Sequence, residues 1–214
     1  MTHIKKLLFV TVLALTAQFV SAQGRFGLRG GLNFANQKIQ VKAFGESVSQ
    51  SGDGIVSFHI GGIGEFPLAE NIFVQPSILL SGKGANFDGQ DDMGNPVEAK
   101  VRPFYLELPV NIIYKYPLQN FSIFGGAGIA PAFGLFGKAK SGSTSEDAFQ
   151  DEGFKRFDFG VNFLAGVEVN TNMQISINIT QGLANITDIS DDDIDIKWKN
   201  KVIGISFAYF LQRQ

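Results

Sequence analysis

From Arg25 onward, apolar and polar side chains alternate residue by residue, the period-two signature of strands with two unlike faces. Between 25 and 35, Phe26, Leu28, Leu32 and Phe34 share one side, and Arg29, Gly31 and Asn33 the other. Over 54–66, Val56, Phe58, Ile60 and Phe66 oppose Ser57, His59, Gly61 and Glu65. Over 72–83, Ile72, Val74, Ile78 and Leu80 oppose Gln75, Ser77, Ser81 and Lys83. The run 100–114 sets Phe104, Leu106, Leu108, Val110, Ile112 and Tyr114 against Tyr105, Glu107 and Asn111. The split is cleanest over 154–169, where Phe157, Phe159, Val161, Phe163, Val167 and Val169 oppose Arg156, Asp158, Gly160, Asn162 and Glu168. Further runs cover 173–181 and 201–211, while 121–137 is apolar and Gly-rich, so its facing is ambiguous.

The links between these eight runs discriminate among architectures. Those near 67–71, 115–120 and 170–172 are short, and those near 36–53, 84–99, 138–153 and 182–199 are long and polar. Strict alternation of short and long links predicts an all-β, eight-stranded antiparallel up-and-down transmembrane β-barrel. The short turns would be periplasmic and the four long loops extracellular. An eight-stranded interior has room only for packed side chains. Small residues and a few charges fit it, and six bulky residues from Phe104 to Tyr114 do not, so the bulky face is assigned to lipid. Phe26, Phe66, Tyr114, Tyr116, Phe121 and Tyr209 fall at strand ends, where an aromatic girdle is expected at the periplasmic rim.

Composition narrows the setting. Residues 1–22 combine Lys5 and Lys6, an apolar run from Leu7 to Val20 and a Val20-Ser21-Ala22 exit, which is the pattern of a cleaved signal peptide. Residues 23–214 then form one β-barrel domain, expected in the cell outer membrane. That portion carries 16 basic and 20 acidic residues, a balance that argues against nucleic acid as a partner. Cysteine is absent, so neither a disulfide nor a thiolate metal site is available.

Several stretches also resemble a known family. Tyr105-Leu106-Glu107-Leu108-Pro109-Val110, Phe157-Asp158-Phe159-Gly160 and Gly182-Leu183-Ala184-Asn185-Ile186 are similar to recurring signatures of the PorT-like outer-membrane β-barrel proteins of Bacteroidetes. The resemblance implies an outer-membrane barrel, in a family whose members mostly lack a defined activity. One branch is linked to protein secretion, a role that these motifs do not carry. The chain departs from the usual outer-membrane terminus, since Phe210 is followed by Leu211-Gln212-Arg213-Gln214.

Candidate chemistry is sparse. Arg29, Glu65, Glu107 and Glu168 are expected together in the periplasmic half of the lumen, as a charge network that plugs it. His59 is the one histidine beyond residue 22, and Ser57 shares its face, but the spacing is too common to mark a hydrolase. Asp191, Asp192, Asp193 and Asp195 read as a solvated acidic loop, since Ile196 stands where a calcium loop wants glycine. No catalysis, metal or cofactor is expected. The expected partners are outer-membrane lipid and lipopolysaccharide, the barrel insertion machinery, and an extracellular partner of the loops. The expected role is structural, adhesive or assembly-related. The alternatives are a soluble periplasmic lipocalin-like barrel holding a small apolar ligand and a barrel-embedded lipid-modifying enzyme.

Overall fold

The structure is a computed structural model that describes residues 24–43, 46–90, 94, 96–142, 144–149, 154–187, 190–191 and 194–211. Residues 1–23, on which the expected signal peptide falls, Asp192, Asp193 and residues 212–214 lie outside the described residues. The elements are β1 (Arg25–Ala43), β2 (Glu46–Ser51), β3 (Ile55–Ala69), β4 (Ile72–Gly82), β5 (Ala85–Gln90), β6 (Pro96–Glu107) and β7 (Val110–Pro117). They continue as β8 (Phe121–Ser141), β9 (Thr144–Asp147), β10 (Phe157–Val169), β11 (Met173–Gly182), β12 (Ser190–Asp191) and β13 (Ile194–Phe210).

All thirteen strands belong to one sheet, and every pairing is antiparallel. The ladders run β1–β3–β4, then through β6 and β7 to β8, then β10–β11–β13 and back to β1. The sheet therefore closes on itself and leaves no unpaired edge along this circuit. Strands β6 and β7 act as one crossing, interrupted at Leu108–Pro109. Proline has no N–H to give the ladder. Its carbonyl still accepts from Ser77 N (2.9 Å), and Leu108 N donates to Pro131 O (2.9 Å), which carries the pairing across the break.

The short links form as tight turns in which Asn71, Asn170 and Thr171 take positive φ. Asparagine suits that region because its short polar side chain can bond locally. The expected long loops need correction. Among the described residues, much of 36–53, 84–99, 138–153 and 182–199 is strand: β1 and β8 run on to Ala43 and Ser141, β13 begins at Ile194, and β2 folds back on β1, β5 on β6 and β9 on β8. Apolar alternation stops where the polar extensions begin, but backbone pairing does not depend on it, so the ladders continue.

The two faces are inverted relative to a water-soluble fold. Ile112, Phe163 and Ile177 are more than half exposed (56%, 54% and 56%), whereas Gln75, Asn111 and Gln37 are fully buried. Strand β8, ambiguous in sequence, turns Ile123, Ile129 and Phe133 outward and Phe124, Ala130 and Ala132 inward. Phe26 stacks edge-on against Phe66 (5.4 Å) near the short-turn end, where Tyr114, Tyr116, Phe121 and Tyr209 also face outward.

Candidate functional site

Because the strands alternate, each delivers its polar residues to the interior, and these gather in three layers. The layer nearest the short turns is charged. Glu65 (β3) and Glu168 (β10) are held by Arg25 (β1) and Lys115 (β7): Lys115 Nζ donates to both carboxylates at 2.7 Å, Arg25 Nε donates to Glu65 at 2.8 Å, and Arg25 also bonds Glu168. Gln75 Nε2 donates to Glu65 (2.7 Å) and Gln174 Nε2 to Glu168 (2.7 Å). Two aromatic faces back the cations, with Arg25 over Phe210 at 4.1 Å and Lys115 over Phe73 at 4.6 Å. Outside this layer lies an open vestibule of about 440 Å³, lined by Asn71, Pro67 and Pro117 besides the charged four.

The layer nearest the long links centres on Lys83, which bridges Glu107 (2.8 Å) and Asp158 (3.1 Å) and sits over the Tyr105 ring at 4.9 Å. Asn200 donates to Asp158 (2.9 Å), and Gln37 joins Asn200 (2.9 Å) to the Trp198 indole N–H (3.1 Å). Above it the aromatic rings of Phe149, Phe154, Trp198 and Phe87 pack edge to face, with Tyr105–Phe149 at 5.6 Å and Phe154–Trp198 at 4.8 Å.

Between these layers sits His59. Its Nδ1 is 2.8 Å from Asn33 Oδ1, an atom that can only accept, so Nδ1 carries the proton. Nε2 therefore accepts from the Ser206 hydroxyl, also at 2.8 Å. Gly31 makes this possible, since a Cβ there would meet the His59 ring at 2.7 Å and the Ile205 carbonyl at 2.0 Å. Arg29 donates to Asn178 Oδ1 (2.5 Å) and Ser206 Oγ (3.1 Å).

Serine, histidine and asparagine in that order form a proton-relay geometry. Its surroundings argue against acyl transfer: the adjoining cavity, touched by His59, Asn33 and Arg29, has about 30 Å³, room for a water or two and not for an acyl chain. Ser206 also accepts from Arg29 and Asn178, so its lone pairs are engaged.

The four expected network residues do not meet as one group. The structure brings Glu65 and Glu168 together. It places Arg29 in the middle layer, on Asn178 and Ser206, and Glu107 in the far layer, on Lys83. Likewise the serine on His59 is Ser206, not Ser57. The cations that hold the carboxylates, Arg25, Lys83 and Lys115, were within reach of parity alone. Lys115 falls in step with Glu107 and Asn111, Arg25 with Arg29, and Lys83 with Ser81. Among the described residues no cluster of histidine and carboxylate suited to a metal is found, and Asp192 and Asp193 of the acidic stretch lie outside them.

Among solved structures, the outer membrane protein OprG of Pseudomonas aeruginosa is 14% identical, with a TM-score of 0.50 over 90% of this chain and 98% of that one. Ail of Yersinia pestis is 14% identical over 86% of this chain and 98% of its own, with a TM-score of 0.37. The outer membrane protease OmpT of Escherichia coli is 13% identical over 87% and 97%, with a TM-score of 0.41. At these identities the likeness to OprG speaks to the fold alone. A comparison with curated proteins returned no match. A family model described as "Outer membrane protein beta-barrel domain" matches residues 17–188, and it joins the closed ladder and the inverted faces in one conclusion: the chain belongs to the outer membrane protein beta-barrel domain family.

Proposed function

We infer that this protein is an eight-stranded up-and-down transmembrane barrel of a bacterial outer membrane, exported behind a cleaved signal peptide and without catalytic activity. Its role is structural, adhesive or assembly-related, exercised through the β-extensions that prolong the wall at the long-link end. The motifs shared with PorT-like proteins favour a Bacteroidetes source. Outer-membrane lipid, lipopolysaccharide and the insertion machinery are its partners in the membrane, and the extensions meet an extracellular one. The charged layers act as an internal plug.

The observation that carries this reading is the inversion of the wall: Ile177, Phe163 and Ile112 point outward while Gln75, Asn111 and Glu65 are buried. A soluble lipocalin-like barrel would bury the first set around an apolar ligand and expose polar residues. Here the interior is filled by hydrogen-bonded polar groups, and closed ladders are what a strand protein needs in lipid.

Ile177 lies mid-wall, in register with Ala165 and Ile205. Ile177→Arg is expected to lower the unfolding free energy in phospholipid vesicles by about 2–4 kcal/mol, the cost of arginine on a lipid-facing wall. Urea unfolding of the two proteins checks this. A change within about 0.5 kcal/mol, as at an ordinary water-facing position, would contradict the reading.

A further inference from the structure

The outer wall carries a charged feature of its own, beside the long links. On β6 and β8 the register sets Arg102 opposite Lys138 and Lys100 opposite Lys140. Residues paired across an antiparallel ladder share a face, so the four cations form one outward patch. Arg102, Lys138 and Lys140 are exposed and Lys100 is partly so. Like charges directly opposite each other destabilise a ladder, and here two such pairs stand in succession. Nearby acids offset only part of this. Glu98 bridges Lys100 at 2.9 Å, and Asp147 stands opposite Lys138 on β9, where its Oδ1 accepts from Phe149 N at 2.8 Å.

The height of the patch on the wall says what it meets. The next outward pair toward the mid-wall is Phe104 and Phe136, in register and stacked at 5.2 Å, with Phe58 at 5.5 Å from Phe104. Beyond those rings the wall is apolar throughout, with Leu106 opposite Phe133 and Ile129 opposite Val110. The order along the wall is thus apolar, aromatic, cationic. It recurs on β1 and β13, where Phe34 lies opposite Ile203, then Asn36 opposite Lys201, then Lys38 opposite Lys199, a third like-charge pair. Aromatic rings followed by long cationic side chains mark the level at which a bilayer's apolar core gives way to its headgroups.

We propose that the patch of Lys100, Arg102, Lys138 and Lys140, repeated by Lys38, Lys199 and Lys201, binds the phosphorylated headgroups of lipids in the leaflet on the long-link side. Arg102 offers a planar fork to phosphate oxygens, and the lysines act as point charges. A bound anion removes the repulsion that the register builds in. The assignment rests on the transmembrane reading above.

The test uses the full chain refolded into vesicles of phosphatidylcholine alone, of phosphatidylcholine with bisphosphorylated lipid A, and of phosphatidylcholine with dephosphorylated lipid A. The temperature at which the folded gel band gives way to the unfolded one is read in each. The native chain is expected to hold to a higher temperature only with phosphorylated lipid A. The fourfold variant K100Q/R102Q/K138Q/K140Q is expected to lose most of that rise, yet to unfold in phosphatidylcholine at the same temperature as the native chain or above it. If the fourfold variant does not refold, K138Q/K140Q is read the same way. A variant that keeps the whole rise overturns the proposal, as does an equal rise from inorganic phosphate added to phosphatidylcholine vesicles, which would assign a soluble-anion site. A native chain that does not insert into phosphatidylcholine at all overturns the transmembrane reading and the proposal with it.

Discussion

Lys83→Met is expected to lower the unfolding free energy of the protein in vesicles by about 3–5 kcal/mol, the cost of breaking a buried ion pair from one side. Lys83 is 2% exposed and bridges Glu107 and Asp158 at 2.8 and 3.1 Å. Its loss leaves two carboxylates facing each other, with Asn200 as a neutral donor to one of them. Methionine keeps an unbranched apolar stem one atom shorter, so the change removes the ammonium, with its contact over the Tyr105 ring, and little else. The combination of Lys83→Met with Asp158→Asn is expected to recover most of the loss, because the interior again holds as many cations as carboxylates and Glu107 keeps the field of Arg29. Urea titration of the refolded variants measures both. A loss below about 1 kcal/mol for Lys83→Met would mean that the far layer is no closed ion cluster.

The second large effect lies at the opposite end of the interior. Glu65 accepts from Arg25, Lys115, Gln75 and Gln174 at once. Glu65→Ala leaves Arg25 and Lys115 to share Glu168 and deprives both glutamines of an acceptor. The expected cost is again about 3–5 kcal/mol. Glu65→Gln keeps the side-chain volume and an acceptor oxygen and is expected to cost less. Urea midpoints of the two variants order them. If alanine were no worse than glutamine at this position, the hydrogen-bonded geometry described here would not be what holds this layer.

The interior as a whole shows why both substitutions are costly. Among the described residues, Arg25, Arg29, Lys83 and Lys115 face Glu65, Glu107, Asp158 and Glu168, so the charges balance inside the ring. Glu65 and Glu168 share Arg25 and Lys115, whereas Glu107 and Asp158 share Lys83 alone as a bonded cation. Removing any single member therefore leaves charge where little solvent reaches it.

How much of this was legible in the chain follows from what a period-two pattern can encode. Alternation around Phe157–Val169 or Ile175–Ile179 assigns each side chain to a face, and the structure agrees with those faces. Short links containing Asn71 and Asn170 mark the tight turns, because asparagine tolerates the conformation they require. Alternation says nothing about which residues meet across the interior, since that depends on register and strand tilt. Arg29 and Glu107 share the polar face with Glu65 and Glu168, yet they lie in other layers. The β-extensions were unreadable for a different reason: once both faces are polar, as over Lys38–Lys42 or Thr144–Asp147, the apolar rhythm is gone while the hydrogen-bonded ladder remains. The stretches that resemble PorT-like signatures supply structural contacts. Tyr105, Glu107 and Asp158 all converge on Lys83, and Asn185 ties the chain to β13 through Ile196 O and Trp198 N.

An apolar wall turned to lipid and a closed ladder within it set both where the protein sits in the cell and how it runs on a gel. Fractionation of the native cells, with the membrane fraction run on a gel before and after boiling, tests this arrangement most directly. The protein is expected to stay with the outer membrane and to change mobility on boiling, because a closed hydrogen-bonded barrel resists detergent until heated. Recovery in the soluble periplasmic fraction without detergent, with no change of mobility, would contradict this arrangement.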